Sequence, residues 1–297
     1  MPSPSNAETR ELWADKIRFA NTLKGGAIFC VYNQAQAKIC EKVGAKALIA
    51  VGSGASSGGG DSDSDDDDDD DVDVYRMADP GLTKSIMDCV ALPVFGRVRV
   101  GHEMEARITQ HLCVDGIHEY DKLTAAADAG VHIAKLQYKV PFICAAANLG
   151  EALQRISEGA SMLHTKGGSV ADNPNVAASV TELKRINTQI KKAVSKLNNK
   201  TELKAYAKEI GAPFSYLEQV AKRGSLPVPL FGHGGVVEPA DAAYLMTQKC
   251  DGLIISANVL TSMDSQRRAL GMVMAVENPT NYEMLAKISE NLGVPPF

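Results

Sequence analysis

The chain has 297 residues, 45% of them apolar and 5% aromatic, enough to bury one large core. No run of about 18 apolar residues occurs, which excludes a membrane-spanning helix. The net charge of -5 comes from ten aspartates between Asp61 and Asp73; elsewhere 26 acidic residues face 31 basic ones, without the arginine-rich arm or stacking aromatics of a nucleic-acid binder.

The chain opens on "MPSPSNAETRELWADK", which lacks the basic flank and apolar stretch of a secretory leader, so a cytoplasmic protein is expected. Within "ETRELWADKIRFANTLK" (8–24), Leu12, Ile17, Phe19 and Leu23 alternate with charges. That pattern predicts an amphipathic helix that caps a barrel or docks a partner. Short apolar runs follow at 26–32 ("GAIFCVY"), 47–53 ("ALIAVGS"), 92–98 ("LPVFGRV"), 116–120 ("GIHEY"), 142–146 ("FICAA"), 162–166 ("MLHTK"), 228–232 ("VPLFG") and 252–256 ("GLIIS"). Stretches such as "NQAQAKICEKVGA" and "ADAAYLMTQK" separate them, with apolar residues at three- and four-residue steps. Eight strand-then-helix units predict an α/β fold of the (β/α)8 TIM-barrel class spanning residues 1–297 as one domain. A doubly wound open sheet is the alternative, but no Gly-rich fingerprint follows the first strand.

Residues 176–223 hold about two extra helices between strands six and seven. The segment 52–75, "GSGASSGGGDSDSDDDDDDDVDVY", reads as a disordered acidic insert in a βα loop, because its like charges repel and its spacing does not match a calcium loop. Its serines Ser62 and Ser64 are candidates for modification on composition alone. The six cysteines Cys30, Cys40, Cys89, Cys113, Cys144 and Cys250 show no CxxC and no ligand spacing. Reduced thiols are expected, with neither a disulfide frame nor a metal site.

In a barrel, the C-terminal ends of the strands carry the chemistry. Those ends are Cys30, Arg97, His118 with Glu119, Lys166, the "GHGG" of 232–235 and Ser256-Ala257-Asn258. Glycines 234 and 235, ahead of a helix near Pro239, suit a phosphate, although such glycines also serve as plain turns.

The motifs "LKGGAI", "NQAQAKICEKVGA", "RMADP", "RVRVGH", "NLGEALQRISEGASMLHTKG", "GGVVEPADAAYLM" and "CDGLIIS" resemble the synthase subunit of glutamine-dependent pyridoxal 5′-phosphate synthase, the PdxS/SNZ family. The resemblance runs from about residue 12 to 293, broken chiefly at 52–75 and 167–175. It implies a barrel that assembles as hexameric or dodecameric rings, and an activity that joins ribose 5-phosphate, glyceraldehyde 3-phosphate and ammonia. It also implies a glutaminase subunit docked at the barrel's bottom, partly through the N-terminal helix.

Carried over by position, the family's site is largely replaced. Its first-strand aspartate is Cys30, its sugar-binding third-strand lysine is Arg97 and its fourth-strand aspartate is His118. Its sixth-strand lysine is kept as Lys166, but the arginine two residues earlier is His164. Val170 stands where a phosphate-binding glycine is expected, and Ser256-Ala257 replace a Gly-Ser pair. Gly235 with Gly234 is retained for phosphate, and Lys184 stands for a family arginine.

Arg97 decides among the readings. An imine needs an amine with a lone pair, and a guanidinium remains protonated. The first reading is therefore a pseudoenzyme that joins an active paralogue, or copies of itself, in a ring, with no cofactor of its own. The second is an active synthase rearranged around Lys166, His118 and Cys30. The third is a binding module for a phosphorylated metabolite. Lys166 itself is either an imine former or a remnant held by a salt bridge.

Overall fold

The computed structural model describes residues 6–52, 76–120, 131–167 and 176–293. Val170 and most of the acidic insert, 53–75, lie outside the described residues. The strands are β1 (Ala27–Val31), β2 (Ala47–Ala50), β3 (Val94–Arg99) and β4 (Gly116–Tyr120), then β5 (Phe142–Ala145), β6 (Met162–His164), β7 (Leu230–His233) and β8 (Leu253–Ile255). Each pairs in parallel with the next and β8 returns to β1, closing a barrel. Every apolar run of the sequence supplies one strand, as a (β/α)8 barrel requires.

The helices are α1 (Asn6–Thr22), α2 (Gln34–Val43), α3 (Pro80–Met87), α4 (Glu103–His111), α5 (Leu149–Ser157) and α6 (Ala177–Ser195). They continue as α7 (Lys200–Glu209), α8 (Phe214–Arg223), α9 (Pro239–Thr247), α10 (Ser265–Glu277) and α11 (Tyr282–Ser289). Their starts are set locally by capping: Asn33, Asp79 and Asn148 each accept from the backbone N–H three residues on, ahead of α2, α3 and α5. Between β6 and β7 lie α6, α7 and α8, two more than one barrel unit needs. Between β4 and β5 the expected helix is not found among the described residues, which hold a 3-10 turn at Lys135–Gln137.

That turn carries Lys135 fully inside the protein, where Nζ lies 2.8 Å from both Glu119 Oε2 and Glu158 Oε2. A buried charge needs such partners, and Glu119 in turn accepts from the Ile133 and Gly101 amides. Burial opposes ionisation of Glu119, but His132, Lys135 and the Ile133 amide outweigh it and hold the carboxyl well below the usual range.

Side chains two apart along a strand share a face. Ile28, Ile49, Phe95, Ile143, Met162, Phe231 and Ile254 fill the barrel interior. The other parity, including Leu48, Val94, Ile117, Leu163 and Leu253, packs outward under the helices. Helix α1 and the residue that follows it close the bottom of the interior: Ala20 and, just beyond the helix, Leu23 join the apolar fill, and the Phe19 ring centroid lies 6.1 Å from that of Phe95. Its buried Lys16 donates to the Tyr138 carbonyl, and burial pushes the amine down to about 8. The amphipathic pattern at 8–24 thus serves a cap.

Candidate functional site

Cys30 lies two residues after Ile28, Arg97 two after Phe95, His118 and Tyr120 at even steps from Gly116, His164 two after Met162 and His233 two after Phe231. The alternation that sends those apolar residues to the axis brings this polar set together one layer higher, at the C-terminal ends of the strands. Adjacent strands fix their order, with Arg97 beside His118 on β3 and β4. Glu119 has the opposite parity. The sequence placed it with His118 at the catalytic face, but the structure turns it outward to Lys135, so the mouth does not hold that carboxylate.

Arg97 Nη2 donates to Cys30 Sγ at 3.1 Å, and Nε donates to His118 Nδ1 at 3.4 Å. Its guanidinium carbon stands 4.0 Å from the centroid of the Tyr120 ring, a cation–π contact. These bonds assign the tautomers. With His118 Nδ1 accepting from Arg97, His118 Nε2 carries the hydrogen and donates to His164 Nε2 at 2.9 Å. His164 Nδ1 then donates to the Thr165 carbonyl at 2.7 Å, and His233 Nδ1 donates to the Ile254 carbonyl at 3.0 Å. His164 and His233 meet edge to face, centroids 5.1 Å apart.

The electrostatics follow from burial. His118 is fully enclosed, and desolvation with the Arg97 charge beside it drives its pKa well below the ordinary value, so the ring stays neutral. Burial pushes the Cys30 thiol up, and Arg97 only partly offsets this, so Cys30 stays a thiol.

Lys166 follows β6. Its Nζ lies 3.1 Å from Glu151 Oε2 of α5, with both side chains 37% exposed. The next residue, Gly167, donates its amide to Glu182 and packs on Gly234 so closely that a Cβ would stand 2.7 Å from the Gly234 Cα. Gly234 and Gly235 have φ of 97° and 75°, where side chains are strained. Thr165 and Ser179 pin this turn by donating to the His233 carbonyl. Ser256 precedes the 3-10 turn Ala257–Thr261, Ala257 is buried against the barrel interior, and Asn258 accepts from the Tyr32 hydroxyl at 3.1 Å. Lys184 stands exposed on α6.

A model of the SOR/SNZ family matches residues 13–233. The chain belongs to the SOR/SNZ family. Pyridoxal 5′-phosphate synthase subunit PdxS of Clostridium botulinum is 43% identical over 274 residues, covering 92% of this chain and 89% of that protein. The Thermotoga maritima subunit PdxS is 43% identical over 283 residues, covering 95% and 92%. The subunit SNZERR of the sponge Suberites domuncula is 40% identical over 299 residues, covering 99% and 93%.

Within this SOR/SNZ barrel, Cys30, Arg97, His118 and His164 converge as their strand-end positions predict. Tyr120 and His233 complete the cluster; His233 belongs to the "GHGG" named at a strand end, whereas Tyr120 was not singled out from sequence. The i, i+2 alternation from Gly116 and Phe231 is the signal that finds them. Among the described residues no group of three His, Cys, Asp or Glu side chains has the geometry to hold a metal ion. Among the described residues, the strand ends of this SOR/SNZ member therefore bring together the Arg97 guanidinium, the neutral His118 ring and the Cys30 thiol, and β3 carries no amine.

Proposed function

We propose that this SOR/SNZ chain is a non-catalytic counterpart of the pyridoxal 5′-phosphate synthase subunits it resembles, serving vitamin B6 biosynthesis by assembling with active subunits in the cytoplasm. One observation carries the reading: the position that the resemblance gives to the sugar-capturing lysine is Arg97, held by Cys30, His118 and Tyr120. A guanidinium has no lone pair free to attack an aldehyde, so the first covalent step is lost there. Cys30 and His118, where the resemblance expects carboxylates, supply no fixed negative charge to replace it. The same reading takes residues 1–297 as one barrel domain with 52–75 as an insert, in homomeric or mixed rings to which a glutaminase subunit docks.

The test is borohydride trapping. Incubated with ribose 5-phosphate and reduced, the chain is expected to keep its intact mass. A second reading, an active synthase working through Lys166, is favoured by one observation: that lysine is retained and more than one third exposed. A stable sugar adduct mapped to Lys166 would establish this second reading in place of the first.

A further inference from the structure

At the other end of the barrel, α1, α6, the end of α8 and the turns leading into β7 and β8 enclose a cleft of about 650 Å³. That volume is within the range that takes a small ligand. Ile17, Val228 and Leu230 give it an apolar lining, and its α1 wall carries Trp13, the chain's single tryptophan. The Trp13 Nε1 is buried without an acceptor among the described residues. Five basic side chains line the same cleft: Arg18, Lys24, Lys191, Arg223 and Lys249. Asp251 is the one carboxylate of the described lining; Lys24 takes it at 3.1 Å, and Arg18 pairs with Asp15 of its own helix. Among the described residues no ion pair includes Lys191, Arg223 or Lys249.

These three cations come from three places in the chain: α6, the end of α8 and the turn before β8. Like charges gathered in one concavity repel each other and focus a positive potential there. Lys249 joins them at a backbone cost, since its φ of 66° lies in the left-handed region that favours glycine. The five residues ahead of α1, "MPSPS", contain no acid, and the acidic insert follows β2 at the opposite end of the barrel.

We propose that this cleft binds a small polyanion bearing two or more phosphate groups. Charge number selects the class. Three unpaired cations are matched by a diphosphate or triphosphate, whereas a single carboxylate leaves most of their charge uncompensated. Arg223 offers its fork to phosphate oxygens, and the two lysines act as point charges. The site is separate from Arg97 and Lys166, which stand at the C-terminal strand ends, and does not rest on the function proposed above.

The experiment titrates the full chain with inorganic pyrophosphate at physiological ionic strength, read by tryptophan emission and by calorimetry. Because Trp13 is the single tryptophan, a change in emission reports on this cleft. One saturable site per chain is expected, with orthophosphate weaker than pyrophosphate. Arg223→Met is expected to weaken pyrophosphate binding about tenfold. Lys191→Ala and Lys249→Gly should each weaken it about threefold, and Lys249→Gly keeps the fold because glycine suits that φ. Lys200→Ala, on α7 away from the cleft, should bind as the wild type does. No saturable heat, the same response to sodium chloride at matched ionic strength, or an equal loss in Lys200→Ala would each overturn the proposal. The borohydride result is independent of this outcome, so the two readings fall separately.

Discussion

A lysine and an arginine carry the same charge, but only one can become an imine. Replacing Arg97 by lysine puts an amine among Cys30, His118 and Tyr120, where desolvation favours its neutral form. The Arg97→Lys variant is therefore expected to gain the mass of one reduced pentose phosphate on borohydride treatment, while the wild type does not. A second prediction concerns His118. Its folded pKa lies well below 6.5, so the unfolded chain binds a proton that the folded chain refuses as pH falls through that value. Stability from this group is fully present above pH 6.5 and declines below it toward the depressed folded pKa. Urea unfolding between pH 7.5 and 5.5 should show falling stability, with a shallower slope in His118→Gln.

The strands were legible because each is a short apolar run between turn residues, and the closing of the sheet followed from their number. The polar layer was only half legible. Cys30, Arg97, His118 and the His233 of "GHGG" came from their places at strand ends, whereas Tyr120 and its meeting with His233 needed the alternation to be followed through a closed barrel. Glu119 shows the cost of reading ends without parity: one step along β4 moves a carboxylate from the mouth to the helix layer. Its role there is structural. Glu119→Gln leaves Lys135 buried with one fewer counter-charge, and should cost about 3–5 kcal/mol in chemical denaturation. The 3-10 turn at Lys135–Gln137, ahead of β5, escaped prediction because a buried ion pair, and not apolar periodicity, organises it. At the opposite end of the barrel, Leu23 from the segment after α1 is 3% exposed within the interior cluster. Leu23→Ala should destabilise the fold by about 2–5 kcal/mol, measured the same way.

For the whole molecule, the charge is divided between a mildly basic body and one acidic segment, and the barrel matches its relatives along nearly its full length. A close copy of a subunit can occupy an equivalent place in a symmetric ring, because the same surface patches recur at every interface. Co-purified with an active PdxS-type subunit, this chain is expected to give mixed oligomers in native mass spectrometry; separate homo-oligomers alone would count against the partner role. The most direct test of the account is synthesis itself. Purified chain, supplied with ribose 5-phosphate, glyceraldehyde 3-phosphate and an ammonium salt, is predicted to form no pyridoxal 5′-phosphate by absorbance. Sustained formation of the coenzyme by this chain alone would contradict it.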